Sequence, residues 1–292
     1  MASGRDFLGP FRLVKLIRAG NSCQVWEAVN DPDPRRVALK VLLEEHRKNR
    51  EEIRQLRNEA ECGIGLDHKN VIKIFEFTTA YHLPFLAMEL FNARNLKQEL
   101  RERPEILAYR ATEVIEGCAR GLGHFNDKGF IHCDVKPDNF LVSAVGEVKL
   151  IDFSIAQKPR TGLGGLFKSK KAIQGTRSYM SPEQIRGKKL DARSDMYGFG
   201  CVLFELLSGK PPFTAVSADD LLRKHLTNAA PSAAVYNSRV SAELSSLIQR
   251  MLSKEKEKRP ESFLAFLQEF KTISTYKAGQ RPAKPEQESA DI

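Results

Sequence analysis

The sequence predicts an α+β chain in two parts: a small antiparallel sheet with one helix, then a larger, mainly helical region. Three observations carry this. Residues 11–29 and 36–43 are rich in Val, Leu and Ile, with the turn residues Asp31, Pro32, Asp33 and Pro34 between them, the pattern of antiparallel strands. After Asn92 the texture changes to apolar stripes at helical spacing. The run Met196 to Leu207 is apolar on all sides, with Glu205 its one charged residue. Such a helix belongs at the centre of a helical core and is too short to span a bilayer.

The elements follow in chain order. Residues 1–10 form an N-terminal extension with no apolar stretch, so no signal peptide is expected. Residues 11–90 make the small part. Within it, Glu44 to Leu66 is charged except at Ile53, Leu56, Ala60 and Ile64, which mark one narrow helical face. Val71 to Phe77 and Phe85 to Leu90 read as two further strands. Residues 91–274 make the helical part. There Ile115, Cys118, Ala119, Leu122 and Phe125 share one helix face. Leu244, Leu247, Ile248, Met251 and Leu252 share another, with Ser241 as its N-cap. Residues 275–292, rich in Lys, Pro, Glu and Gln, are expected to be a disordered tail.

Composition narrows the function classes. The 292 residues are 41% hydrophobic, enough for a real core. The formal charge of +9 suits an acidic partner, but acidic and basic residues are mixed along most of the chain and no nucleic-acid motif accompanies them. The five cysteines are scattered and contain no CxxC. That argues against a disulfide framework or zinc site and fits a reducing cytosol.

The chemistry concentrates in "FIHCDVKPDNFLV", residues 130–142. Apolar flanks pin both ends, and Pro137 breaks any helix between them, so His132, Asp134, Lys136 and Asn139 lie on a fixed loop. Asp152 follows in "VKLIDFS". Together these residues fit H-x-D-x-K-x-x-N…D-F-x. The chain here resembles the eukaryotic-like Ser/Thr protein kinases, most closely their bacterial members, and the resemblance covers residues 11–270.

The resemblance implies a bilobal protein kinase fold and an ATP-dependent transfer of phosphate to protein Ser or Thr hydroxyls, with Mg²⁺ as cofactor. It implies that Asp134 orients the acceptor hydroxyl and that Lys136 steadies the transferred group. Asn139 and Asp152 would hold Mg²⁺ through hard oxygens. Lys40, in "VALK", would grip the phosphates and pair with Glu59, nine residues before His68 in "LDHKNVIKI". Ile17, Gly20, Val25, Ala38, Met88, Glu89, Phe91 and Leu141 would surround the nucleotide, with Met88 at the gatekeeper position. Thr176 would contact Asp134 and Lys136, Glu183 would pair with Arg259, and Asp195 would cap the catalytic loop.

Four departures from the family pattern stand out. "RAGNSCQV" keeps only Gly20 of three loop glycines, with Arg18 and Cys23 at the other two positions; this stiffens and crowds the loop. Cys133 replaces the Arg that binds an activation-segment phosphate. Ser154 replaces the Gly of DFG. Gly63 stands where an apolar side chain packs on Phe153, which predicts a loosely held helix. Lys158, Arg160, Lys168, Lys170, Lys171 and Arg177 suggest a docking surface for acidic substrate sequence.

The leading expectation is a cytoplasmic Ser/Thr kinase with protein substrates, no nucleic-acid partner and no membrane span; a kinase-domain dimer is compatible with it. The alternative is a pseudokinase acting as a regulatory scaffold, motivated by Arg18, Cys23, Gly63 and Ser154. A small-molecule phosphotransferase ranks lower, because "GTRSYMSPE" reads as a peptide-binding segment.

Overall fold

Alternating burial and helix capping explain the elements of the computed structural model, which describes residues 7–31, 33–159 and 175–285. Two compact units form. One reaches to Asn92 and includes Asp152–Ala156; the other holds Ala93–Ile151 and the chain from Gln157 onward. The expected α+β division is present, with one addition. The five residues from Asp152 to Ala156, distant in sequence from Asn92, pack with the sheet-bearing unit.

In that unit β1 (Phe7–Leu8), β2 (Phe11–Ala19), β3 (Cys23–Asn30), β4 (Arg36–Leu42), β5 (Ile74–Ala80) and β6 (Leu83–Glu89) form one antiparallel sheet, ordered β1-β2-β3-β4-β6-β5. Val37, Leu39 and Val41 of β4 join Ala28, Phe85 and Ala87 in one buried cluster. Successive side chains alternate across a sheet, so Ala38 and Lys40 face the other side. Opposed residues share a face: Val25 and Leu86 flank Lys40, and Glu27 and Met88 flank Ala38.

The helix predicted from Glu44 begins later, as α1 (Arg50–Gly63), because the Asn49 side chain accepts from the amides of Glu51 and Glu52 and sets the start there. Glu51 and Glu52 in the first turn complement the helix dipole. Its buried face carries Leu56, Ala60 and Cys62 and also Glu59, which is 2% exposed.

The second unit contains a small sheet of β7 (Arg94–Asn95), β8 (Phe140–Val142) and β9 (Val148–Leu150). Its helices are α2 (Leu96–Glu102), α3 (Pro104–Tyr109), α4 (Ala111–Asp127), α5 (Pro182–Ile185), α6 (Ala192–Ser208), α7 (Ala218–Thr227), α8 (Ala233–Tyr236), α9 (Ala242–Met251) and α10 (Phe263–Phe270). As its all-round apolar sequence requires, α6 is the central helix: every residue from Ser194 to Leu207 is buried. α4, α8 and α9 pack against it. The Glu205 carboxylate is buried there, ion-paired to Lys97 and accepting from Tyr179 Oη at 2.6 Å. The predicted stripes of α4 and α9 are buried, and the Ser241 side chain caps α9 by accepting from Leu244 N at 3.1 Å.

The expectation of disorder from residue 275 is corrected over its first residues. Thr275 and Tyr276 are buried. Thr275 Oγ1 lies 2.7 Å from Thr112 Oγ1, and Tyr276 Oη donates to Ala108 O at 2.8 Å. Polar side chains with aromatic bodies can seal a helix end where composition alone reads as tail. Residues 286–292 lie outside the described residues. All five cysteines are free, and among the described residues no helix is long and apolar enough to cross a membrane.

Candidate active site

In the sheet-bearing unit, pleat and helix bring three charged residues together. Lys40 Nζ lies 2.6 Å from Glu59 Oε2 and 3.5 Å from Asp152 Oδ1. Burial opposes a charge on Lys40, but the negative charges of Asp152 and Glu59 overcome it and raise its pKa, so the ammonium is kept. Asp152 takes a positive φ of 65°, a strained backbone for a non-glycine residue. Its carboxylate, 33% exposed, accepts from Ser154 N at 3.3 Å.

The loosely held helix expected from Gly63 is not found. A Cβ at Gly63 would fall well inside contact distance of Ile74 Cδ1 and 3.0 Å from Phe153 Cδ2. Ile74 fills the volume that a larger residue at 63 would have taken, and Phe153 is fully buried. Asn58, one residue before Glu59, adds a clamp: its Nδ2 donates to the carbonyls of Phe153, Ser154 and Ala156 at 3.1, 3.1 and 2.9 Å.

The other nucleotide candidates of this unit are distributed as follows. Val25, Ala38 and Met88 share the sheet face of Lys40. Gly20 makes a tight turn, its amide donating to Cys23 O at 2.8 Å, and a Cβ there would approach that oxygen to 3.0 Å. Ile17 sits where the β2–β3 register shifts between Leu16 and Arg18 and is 49% exposed. Arg18 is exposed, opposite Val25. Burial pushes the Cys23 thiol up, so at neutral pH it is not a thiolate. Glu89 ends β6, and the half-buried Phe91 follows it.

The second unit holds the loop residues. Asp134 Oδ2 is ion-paired to Lys136, and its Oδ1 accepts from Thr176 N at 2.8 Å. Lys136 Nζ also donates to Thr176 Oγ1 at 3.0 Å. Asn139, buried, donates from Nδ2 to Asp134 O at 2.9 Å; that leaves its Oδ1 as the atom for a cation. Leu141, between buried Phe140 and Val142, points to the opposite face of β8. Asp195 of α6 receives the amides of His132 and Cys133 at 2.8 and 2.9 Å and Asn126 Nδ2 at 2.9 Å. Three donors offset the burial of this carboxylate and fix the loop beneath Asp134.

Cys133 is buried with a φ of 66°. Gln157 Nε2 donates to its sulfur at 3.3 Å, and Gln184 Nε2 donates to its carbonyl at 2.7 Å. Gly175, at φ 112°, passes so close that a Cβ would come within 3.1 Å of Cys133 O. Glu183 and Arg259 form a bidentate pair at 2.7 and 3.0 Å, and Ser194 Oγ adds a bond of 2.8 Å to Glu183. Burial works against the Glu183 charge, yet Arg259 holds its carboxyl below the usual range. Of the basic segment residues, Arg160, Lys168, Lys170 and Lys171 lie outside the described residues.

Sequence reading missed Asn58, Asn126, Gln157 and Gln184. Amide side chains carry no motif, and their partners are backbone atoms, the Asp195 carboxylate or the Cys133 sulfur. The donor chemistry of the predicted cation residues, a carboxylate at Asp152 and an amide oxygen at Asn139, fits Mg²⁺. Among the described residues no cluster of three His, Cys, Asp or Glu could hold a metal ion.

The family model described as protein kinase domain matches residues 11–270. The Serine/threonine-protein kinase PrkC of Bacillus subtilis is 30% identical over 256 residues, 87% of this chain and 39% of that protein. The Serine/threonine-protein kinase PknB of Mycobacterium tuberculosis is 34% identical over 229 residues, 77% of this chain and 36% of that protein. A similar protein of Corynebacterium glutamicum, named Serine/threonine-protein kinases PknA, is 31% identical over 287 residues, 94% of this chain and 58% of its own length. The chain thus spans between about a third and three fifths of the length of these relatives.

Proposed function

This chain belongs to the protein kinase domain family, and from that premise we propose that it is an ATP-dependent Ser/Thr protein kinase acting in the cytoplasm on protein hydroxyls. The observation that carries the reading is Asp134, whose two carboxylate oxygens are engaged by Lys136 and the Thr176 amide while Asn139 fixes its backbone. That arrangement orients an acceptor rather than a metal. Phosphoryl transfer needs positioning and charge neutralisation more than covalent help.

In this reading Asp134 accepts a hydrogen bond from the Ser or Thr hydroxyl and aims its oxygen for in-line attack. Lys136 offsets charge on the group in transfer, and Thr176 keeps Lys136 and Asp134 in register. Lys40, held by Glu59, binds the nucleotide phosphates, with Val25, Ala38 and Met88 lining the base. Asp152 and Asn139 would supply oxygens to Mg²⁺, and the ion would neutralise phosphate charge. The pseudokinase alternative loses one of its motivations, because Gly63 is required by packing against Ile74 and Phe153. The curated relatives are themselves named as kinases.

Mass spectrometry of the purified protein after incubation with Mg-ATP tests the proposal. New phosphosites are expected in the wild type and none in Asp134→Asn of equal thermal stability. Identical phosphosites in both proteins would remove Asp134 from its role.

A further inference from the structure

Asp152 stands in a left-handed backbone conformation that only a strongly determined environment sustains. Ser154, two residues on, lacks the conformational freedom of the glycine expected there. The turn nevertheless packs with the sheet-bearing unit. One side chain reaches three of its carbonyls: Asn58 Nδ2, at 3.1, 3.1 and 2.9 Å from the oxygens of Phe153, Ser154 and Ala156. An amide nitrogen has two hydrogens, so the three oxygens share them. The Phe153 carbonyl also accepts from Ala156 N at 3.1 Å, so the clamp reinforces that bond and supplies a donor to the Ser154 and Ala156 carbonyls.

We propose that Asn58 is a positioning residue: the Asn58 clamp on residues 153–156 holds the Asp152 carboxylate in its cation-binding position against α1. Asn58 adjoins Glu59 on the same helix, so the clamp couples the Lys40–Glu59 pair to the Asp152 turn. Residue 63, where the resemblance expects a side chain packed on Phe153, is a glycine, and the amide at 58 supplies a polar tie to the same turn. The inference rests on the kinase reading for the identity of the ligand, a magnesium–nucleotide complex. Loss of the clamp lets the turn sample other conformations. Binding of the complex draws it back, at a cost in affinity and not in turnover.

The test is ADP binding to the full chain by calorimetry, in Mg²⁺ and in EDTA, with Asn58→Ala and Asn58→Asp. Alanine raises intrinsic helix propensity, so a loss with it does not reflect a weakened α1. Aspartate replaces the donor by a carboxylate facing three carbonyls. We expect Asn58→Ala to weaken Mg-ADP binding about tenfold, the loss of one to two net hydrogen bonds, and Asn58→Asp to weaken it further. Affinity in EDTA should change less than twofold by the same reasoning. In turnover, KM for ATP should rise while kcat at saturation is retained. Unchanged Mg-ADP affinity, or equal losses in Mg²⁺ and EDTA, would overturn the proposal; so would a fall in kcat at constant KM. If Asn58→Asp fails to fold, Asn58→Ala decides. A wild type that binds Mg-ADP with this Asn58 dependence but transfers no phosphate defeats the kinase reading and leaves the clamp. An active wild type whose Asn58 variants bind normally defeats the clamp alone.

Discussion

Replacing Gly63 by alanine sets two effects against each other, and the structure says which wins. Alanine is favoured over glycine in a helix interior by about 1 kcal/mol, less at the last residue of α1. Against this, the new methyl would crowd the terminal carbon of Ile74 and lie 3.1 Å from Ile74 Cγ1 and 3.0 Å from Phe153 Cδ2. Overpacking of a filled core costs about 1–3 kcal/mol. The expected net result is a loss of roughly 1 kcal/mol. Ile74→Val alone should cost about 1 kcal/mol as a truncation, yet it removes the carbon that blocks residue 63. The double variant should therefore be no less stable than either single one, a favourable coupling of about 1 kcal/mol. Trp26, the single tryptophan, lies in β3 of the same unit, so its fluorescence in a urea titration reports on this region. Strict additivity of the two changes would refute the packing account, as would a Gly63→Ala protein stabilised by the whole helix term.

Three further outcomes are expected. Arg259→Met should destabilise by about 3–5 kcal/mol by leaving the Glu183 carboxylate buried without its partner, and Glu183→Gln in the same chain should recover part of it, read by chemical denaturation. His225 is buried against Tyr197 Oη at 2.9 Å; burial, and then the charge of Lys254, depress its pKa to about 4. The unfolded chain therefore takes up this proton first, and stability complete above about pH 6.5 should fall by about 3 kcal/mol as the pH drops to 4; His225→Gln should flatten that limb of the stability curve. Phosphatase treatment should leave the phosphotransfer rate nearly unchanged. The position of the phosphate-binding Arg is held by buried Cys133, whose sulfur and carbonyl are already bonded by Gln157 and Gln184; a large fall in rate would contradict this.

The sequence by itself determined the two-part architecture and the identity of the charged residues. Strand alternation around Val37 to Val41 and the helical stripes of α4 and α9 are local periodicities. Asp134, Lys136 and Asn139 lie within six residues of one another, so their grouping is written in one loop. Tertiary structure alone decided what surrounds them. Gly63 reads as a missing contact until Ile74 is seen to occupy its volume, and Tyr276 reads as tail until its hydroxyl meets Ala108 O. Asn58 meets the backbone of residues 153–156 only through folding. Periodicity records which way a side chain faces within its own element. Volume filling and hydrogen bonds to backbone depend on which distant segment arrives there, and backbone atoms are the same in every residue, so the sequence carries no mark of that partner.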